Sequence, residues 1–332
     1  MSRLGTHSVP SLPAAVAAGK TDVAVSTDTV VTANVLVAAN ADGVGTTGAP
    51  SVAGAPQGLL QLPPSWRSPL RYPGGKQKAI EQISKVFPST KAVEYREPLA
   101  GGASVYFYAR KTDFAKSYWI NDAFKELISF WSVVQDPAQC ESLIKELESL
   151  RRKFKTPEEI KEYFLKARDE EATTEYREAF LFFFFNRVTF SGTTRAGGFS
   201  AAASLTRFTA SSIERLKPMP STLLGTRITH LDYQDLVIEP GENVFIFLDP
   251  PYFTATKLYG QNGSLHAFDH WKLAKLLKKT SHRFLITYDD CDEIRQLYDW
   301  ANIQSWKLQY GMNNCNLERK SRIGSELLIT NY

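Results

Sequence analysis

Seven short apolar runs of strand type follow Trp66, at 92–97, 118–121, 227–231, 244–248, 283–288, 303–309 and 326–330. Between several of them the apolar positions fall into helical spacing, at 76–86, 123–134, 266–279 and 292–301. Alternation of this kind predicts a wound α/β sheet. The last two runs are separated by a polar stretch, 310–325, rich in Asn and Arg, which predicts a long antiparallel hairpin at the end of the sheet. Residues 140–220 break the alternation with a charged helical stretch and the loop SGTTRAGGFS, and read as an insertion or small second domain carried by the sheet.

Before Trp66 the pattern is different. Residues 1–65 contain no aromatic side chain and are dominated by Ala, Val, Thr, Ser, Gly and Pro. So little apolar bulk cannot offset the entropy of ordering, which predicts a disordered leader; the competing reading is a short β-prone element at 24–37. The expected division is a leader at 1–65, a catalytic domain built from 66–139 and 221–332, and an inserted, mainly helical domain at 140–220.

Composition narrows the class. A chain of 332 residues with 43% hydrophobic and 22% charged residues can bury a sizeable core, and a net charge of +4 is too small by itself to indicate a polyanionic partner. The three cysteines, Cys140, Cys291 and Cys315, have neither CxxC spacing nor nearby His pairs, so no disulfide framework and no metal site is expected. AFLFFFF at 179–185 is too short to span a bilayer and reads as a buried helix or strand, and the N-terminus lacks the pattern of a secretory signal. An intracellular protein without a membrane partner is expected, as a monomer or weak dimer.

Four segments carry candidate chemistry. In EYREPLAGGASVYFY, 94–108, a strand ends at Glu97 and Gly101 and Gly102 precede a helical segment, which is either a ligand cleft at a strand's carboxyl end or a tight strand-to-helix turn. Neither GxGxxG nor GK[ST] occurs here, so a ligand without phosphates is favoured. The next strand ends at Asp122, placed either to accept bonds from two ribose hydroxyls or to cap the following helix. In SPLRYPGGKQKAI, Tyr72 precedes a rigid turn that brings Lys76 to a helix start, where the dipole disfavours a cation; it serves either a ligand carboxylate or the solvent.

The fourth segment is FIFLDPPYFTAT, 245–256. Asp249 can accept a hydrogen bond from an exocyclic amino group and the carbonyl of Pro250 can accept a second. Pro250 and Pro251 fix the backbone and donate nothing, and Tyr252 offers a stacking face; the alternative is a simple Asp-Pro turn after a strand. Two acceptors on one amino group localise its nitrogen lone pair and direct it at a methyl sulfonium, by positioning and electrostatics alone.

With these residues in order, the chain resembles the D12 class of adenine-N6 DNA methyltransferases. The matching segments are RYPGGK (71–76), EPLAGGASV (97–105), YWIND (118–122), THLDYQDL (229–236) and LDPPYF (248–253), with NRVTFSG (186–192) and the following GGFS and RFT similar to its DNA-recognition insert. The resemblance implies a Rossmann-like sheet that uses S-adenosyl-L-methionine. It places Tyr72 and Lys76 at the cofactor's methionine end, Glu97, Gly101 and Gly102 in the cofactor loop, Asp122 at the ribose, Asp232 and Tyr233 along the cofactor adenine, and Asp249 to Tyr252 around the target base. Double-stranded DNA is the implied partner, with the adenine flipped out, Phe190 filling the vacated stack, Arg195 reading a guanine edge, and Arg187 and Arg207 at phosphates. Ser191 and Gly192 stand where GATC-type members carry NG, so no target sequence is implied. Methylation of RNA or of a protein amide, and a DNA-binding protein without catalysis, are the competing functions.

Overall fold

A computed structural model describes residues 66–254, 268–309 and 323–332. The expected leader, its β-prone element at 24–37 and Cys315 lie outside the described residues. The seven expected strands form one sheet: β1 Ala92–Glu97, β2 Ala115–Asn121, β3 Thr226–Thr229, β4 Val244–Leu248, β5 Arg283–Asp289, β6 Asn302–Gln309 and β7 Ile323–Thr330, in the order β3-β2-β1-β4-β5-β7-β6. β1 to β5 are mutually parallel, while β7 lies antiparallel to both β5 and β6, which is the terminal hairpin the sequence predicts. The chain winds outward from β1 to β3, then returns to the other side of β1 to lay down β4 and β5. The crevice between the carboxyl ends of β1 and β4 is therefore the topological switch point of the sheet.

The helices in chain order are α1 Ile80–Ser84, α2 Ser104–Lys111, α3 Lys125–Gln135, α4 Pro137–Lys153, α5 Pro157–Arg168, α6 Glu175–Val188, α7 Ala201–Arg207, α8 Ala210–Glu214, α9 Met219–Thr222, α10 Tyr233–Ile238, α11 His270–Lys279 and α12 Asp292–Leu297. Their starts follow local chemistry. Asp136 caps α4 by accepting from Gln139 N, with Pro137 at the first turn, and Thr156 and Glu159 form a reciprocal capping box on α5.

Every residue of β4 is buried because the strand feeds two cores with a period of two. Phe245 and Phe247 join the core made with α2, α3 and α6, whereas Val244, Ile246 and Leu248 join Leu273, Leu277, Ile294 and Tyr298 from α11 and α12 and the residue after. The sheet is thus covered on both faces, and each fully buried Phe or Leu contributes roughly 1.5–3 kcal/mol. The 179–185 run is the middle of α6, apolar on all sides because all sides are covered; Phe130 of α3 stacks on its Phe183 with centroids 5.8 Å apart. The helices between β2 and β3 therefore share a core with the sheet. Among the described residues no helix is long and apolar enough to cross a membrane.

Several boundaries differ from expectation for visible reasons. The helix expected from 266 starts at His270, because Asp269 caps it by accepting from Lys272 N. The helix expected over 76–86 is a 3-10 turn, Lys76–Lys78, followed by α1, since Gly75 provides no capping side chain. β3 stops at Thr229 although the apolar run reaches 231. Asn121, fully buried at the end of β2, accepts from Leu231 N at 2.8 Å and donates to Leu231 O at 3.0 Å, so a side chain replaces the ladder there. The same amide donates to Pro98 O at 3.0 Å and accepts from Thr229 Oγ1 at 2.8 Å, tying together the ends of β1, β2 and β3. Replacement Asn121→Ala strands these buried groups and is expected to lower unfolding stability by about 2–4 kcal/mol in urea titrations; a loss near zero would show that the strand ends hold without it.

Candidate active site

At the switch point two chain segments far apart in sequence meet. Lys76, 5% exposed, lies with its Nζ 2.7 Å from Asp249 Oδ1 and 2.8 Å from Oδ2, and also donates to Gly74 O at 2.9 Å. A buried ammonium needs such acceptors, and the PGG turn supplies one of them from its own backbone. Asp249 is held from the other side by Thr287, whose hydroxyl donates to Oδ1 at 2.6 Å. Pro250 is buried behind it, and the Tyr252 ring lies under the Lys76 ammonium, 4.9 Å from Nζ to centroid. Lys76, expected at a ligand carboxylate or in solvent, is thus seated on the Asp249 carboxylate.

Across the crevice, β1 ends in Glu97, which is buried and accepts from Tyr95 Oη at 2.5 Å and from the Tyr106 backbone N–H in the first turn of α2. Burial pushes its carboxyl up to about 8 against these two bonds, with smaller contributions from the negative charges of Asp249 and Asp122. Burial, then Glu97, likewise raises the Tyr95 phenol well above its ordinary range. Asp122 accepts from Gly101 N at 2.9 Å and from Phe124 N at 3.0 Å. It holds the glycine turn and the entry to α3 together, and burial raises its carboxyl too. Three acids thus converge at the carboxyl ends of β1, β2 and β4.

The glycines have a steric cause. A Cβ on Gly101 would stand 2.8 Å from Tyr72 Cε1, and one on Gly102 would stand 2.9 Å from Tyr72 Cβ. Gly101 also has φ +48°, and its carbonyl accepts from Trp131 Nε1 at 3.3 Å. Asp232 caps α10 by accepting from Gln234 N at 2.9 Å and is exposed. Tyr233 packs against Phe268 with centroids 5.3 Å apart, and its buried hydroxyl has no hydrogen-bond partner among the described residues. No group of three or more His, Cys, Asp or Glu side chains among the described residues is arranged to hold a metal ion.

A model of the D12 class N6 adenine-specific DNA methyltransferases matches residues 72–312, which include every one of these positions. The chain belongs to that family. It is 24% identical to the modification methylase StsI of Streptococcus sanguinis over 80% of this chain and 43% of that protein, so it spans less than half of that relative. It is also 24% identical to the type II methyltransferase M.CviBI of Paramecium bursaria Chlorella virus NC1A, and 23% identical to a DNA adenine methylase of Serratia marcescens, each over 79% of this chain and 98% of the relative. Among solved structures, an rRNA methyltransferase, aviRa, of Streptomyces viridochromogenes aligns at 13% identity with a TM-score of 0.36, over 76% of this chain and 83% of that one.

The family's insert positions are dispersed differently from expectation. Arg187, expected at phosphates, is 2% exposed, donates to Pro69 O and lies over the Phe183 ring at 4.8 Å, so it is part of the interior. Burial, followed by the nearby charges of Arg215, Arg71 and Arg207, pulls its guanidinium down to about 9. Arg195, expected at a guanine edge, donates through Nη1 to the carbonyls of Arg168 and Glu170 at 2.6 and 2.9 Å, closing the end of α5. Arg207 is exposed and Phe190 is 63% exposed, an unusual position for a large apolar ring. Asn186, which sequence reasoning passed over, locks the NRVTFSG and RYPGGK segments: it accepts from Arg71 N at 3.1 Å and donates to Arg71 O at 2.6 Å. Gly192 lies beside the same carbonyl, where a Cβ would collide with Arg71 O. Thr287, Asp289, Glu326 and Tyr95 were also passed over. Their one signal is a polar residue within, or ending, an otherwise apolar strand.

The Glu97 carboxyl makes a pH prediction. Its ordinary value of 4.5 rises to about 8 in the fold, so between these values the native state holds a proton that the unfolded chain has released. Stability therefore falls as pH rises through that window and levels off above it, by at most roughly 1.4 kcal/mol per pH unit. Glu97→Gln keeps an acceptor for Tyr95 and removes the titration. Its stability relative to the parent, from urea midpoints at pH 5 and 8, is expected to improve with pH; parallel profiles would contradict the assignment.

Proposed function

We propose that this protein transfers a methyl group from S-adenosyl-L-methionine to N6 of an adenine flipped out of double-stranded DNA, in a site-specific manner. The observation that carries the reading is the Asp249 carboxylate, oriented by Lys76 and Thr287 at the switch point, with the buried Pro250 behind it and the Tyr252 ring beside it.

The residues around the crevice fit the cofactor. Asp122 and Asp249 present acid to it, which complements a ligand carrying a sulfonium and an ammonium, and Asp122 has lone pairs left for a ribose diol. The Gly101–Gly102 turn is flat against Tyr72 and contains no phosphate loop. Tyr72 and Lys76 would hold the methionine end, Glu97 and the glycines the loop beneath it, and Asp232 and Tyr233 the adenine end. Bound there, the cofactor supplies an electrophilic methyl group.

The chain's own residues do the rest. Asp249 and the Pro250 carbonyl accept the two amino protons of adenine, which localises the N6 lone pair and aims it along one line. Tyr252 stacks on the base and offsets the cost of unstacking it, a few kcal/mol. Asp249, already bonded to that amino group, would accept the proton that N6 sheds after transfer. The segment 140–220 serves as the target-recognition domain and 66–139 with 221–332 as the catalytic domain. Arg71, Arg207 and Arg215 form no ion pair among the described residues and concentrate positive potential where a phosphate backbone is attracted; exposed Phe190 is the residue to occupy the space a flipped base leaves. The protein acts inside the cell, on DNA.

Labelled methyl transfer to unmethylated genomic DNA tests this. Asp249→Ala is expected to reduce the rate at least a hundredfold, while single-molecule sequencing of DNA from expressing cells reads N6-methyladenine in one sequence context. Undiminished transfer by the variant, or labelling confined to RNA or protein, would overturn the proposal.

A further inference from the structure

Three buried polar side chains on β5 and β7, Thr287, Asp289 and Glu326, all bond to the segment that carries the chemistry above, and only the first has so far been given a role. Thr287 and Asp289 are two residues apart on β5 and so share a face, and Asp289 is the register partner of Glu326 on β7. Thr287 donates to Asp249 Oδ1 at 2.6 Å. Asp289 accepts from Phe253 N and from Thr254 N, each at 2.9 Å, and from the Thr254 hydroxyl. Glu326, 1% exposed, accepts from Tyr252 Oη at 2.6 Å.

Two acids directly opposite each other on antiparallel strands repel, and burying them removes the water that would soften the repulsion. These donors to them all belong to residues 252–254. Docking of the loop after β4 thus gives both oxygens of Asp289 and one oxygen of Glu326 a donor, and the loop is fixed in return. With its hydroxyl bonded to Glu326, the Tyr252 ring cannot swing away from the Lys76 ammonium.

We infer that Thr287, Asp289 and Glu326 form a positioning clamp for the target-base loop, in which Glu326 sets the plane of the Tyr252 ring and Asp289 anchors the turn behind it. The clamp rests on the methyl-transfer reading for its purpose, but its mechanical part can be measured without it. Hydrogen exchange on the full chain reports the anchoring directly. In the parent protein the amides of Phe253 and Thr254 are expected to be protected, and Asp289→Asn, which offers one acceptor oxygen in place of two, is expected to speed their exchange at least tenfold while the amides of β1 and β4 stay protected. Unchanged exchange at Phe253 and Thr254 overturns the clamp whether or not the protein methylates DNA.

The positioning role is read in single-turnover methyl transfer from S-adenosyl-L-methionine to unmethylated genomic DNA with Tyr252→Phe, Glu326→Gln and the double variant. Tyr252→Phe keeps the ring and removes only its hydroxyl, so it supplies a well-folded variant even if Glu326→Gln is unstable. Each single change is expected to slow the transfer step roughly tenfold with half-saturating DNA and cofactor concentrations held within about twofold. The double variant is expected to be no slower than the worse single one, because both remove the same bond. Losses that multiply, or a Tyr252→Phe protein as fast as the parent, overturn the clamp while leaving adenine methylation in place. A parent protein that methylates no DNA overturns the methyl-transfer reading, and the exchange measurement still decides the clamp.

Discussion

A lysine ammonium enclosed by protein has to find an acid, and here Lys76 and Asp249 find each other across 173 residues of sequence. That pairing brings the PGG turn against the loop after β4. Once the two are joined, Tyr72 is brought over Gly101 and Gly102, and the glycine turn is in turn bonded to Asp122 at the end of β2. The crevice is therefore assembled from the ends of several strands, none of which forms a site by itself. This is what a parallel sheet with a reversal in its winding offers: strand ends that are close in space and distant in the chain.

The strands were legible because their apolar runs are short, dense and separated by turn residues, and all seven lie where the alternation puts them. The DPPY and GG segments were legible because proline and glycine betray backbone requirements directly. What the sequence hid were partners. Thr287 stands within an apolar strand and Asp289 ends one, Glu326 occupies one position of a terminal hairpin, and nothing local says that all three face the same loop. Charge was misleading in the opposite sense. Arg187 follows a run of phenylalanines and reads as a surface cation, but the part of the helix that carries it, 179–188, is buried on all sides, so its guanidinium is spent on a backbone carbonyl and a phenyl face.

Asn121 and Asn186 make the same point for neutral groups. Each uses both ends of its amide to bind a backbone N–H and a backbone carbonyl of one residue, Leu231 and Arg71 respectively, in the manner of a neighbouring strand. One gathers the ends of β1 to β3 and the other joins the α6 end to the turn that carries Lys76. A pattern of hydrophobic positions is blind to such bonds because they depend on where the chain returns in three dimensions.

The core shared by α3, α6 and the sheet has a mechanical meaning. Phe130 of α3 interleaves with Phe182 and Phe183 of α6 across what would otherwise be a hinge, so α6 cannot rock against α3 without opening a close-packed interior. On the proposed function, a duplex approaching this protein would meet a stiff template there, and the bending and unstacking that bring a base to the crevice would fall to the nucleic acid, whose pliancy depends on its sequence.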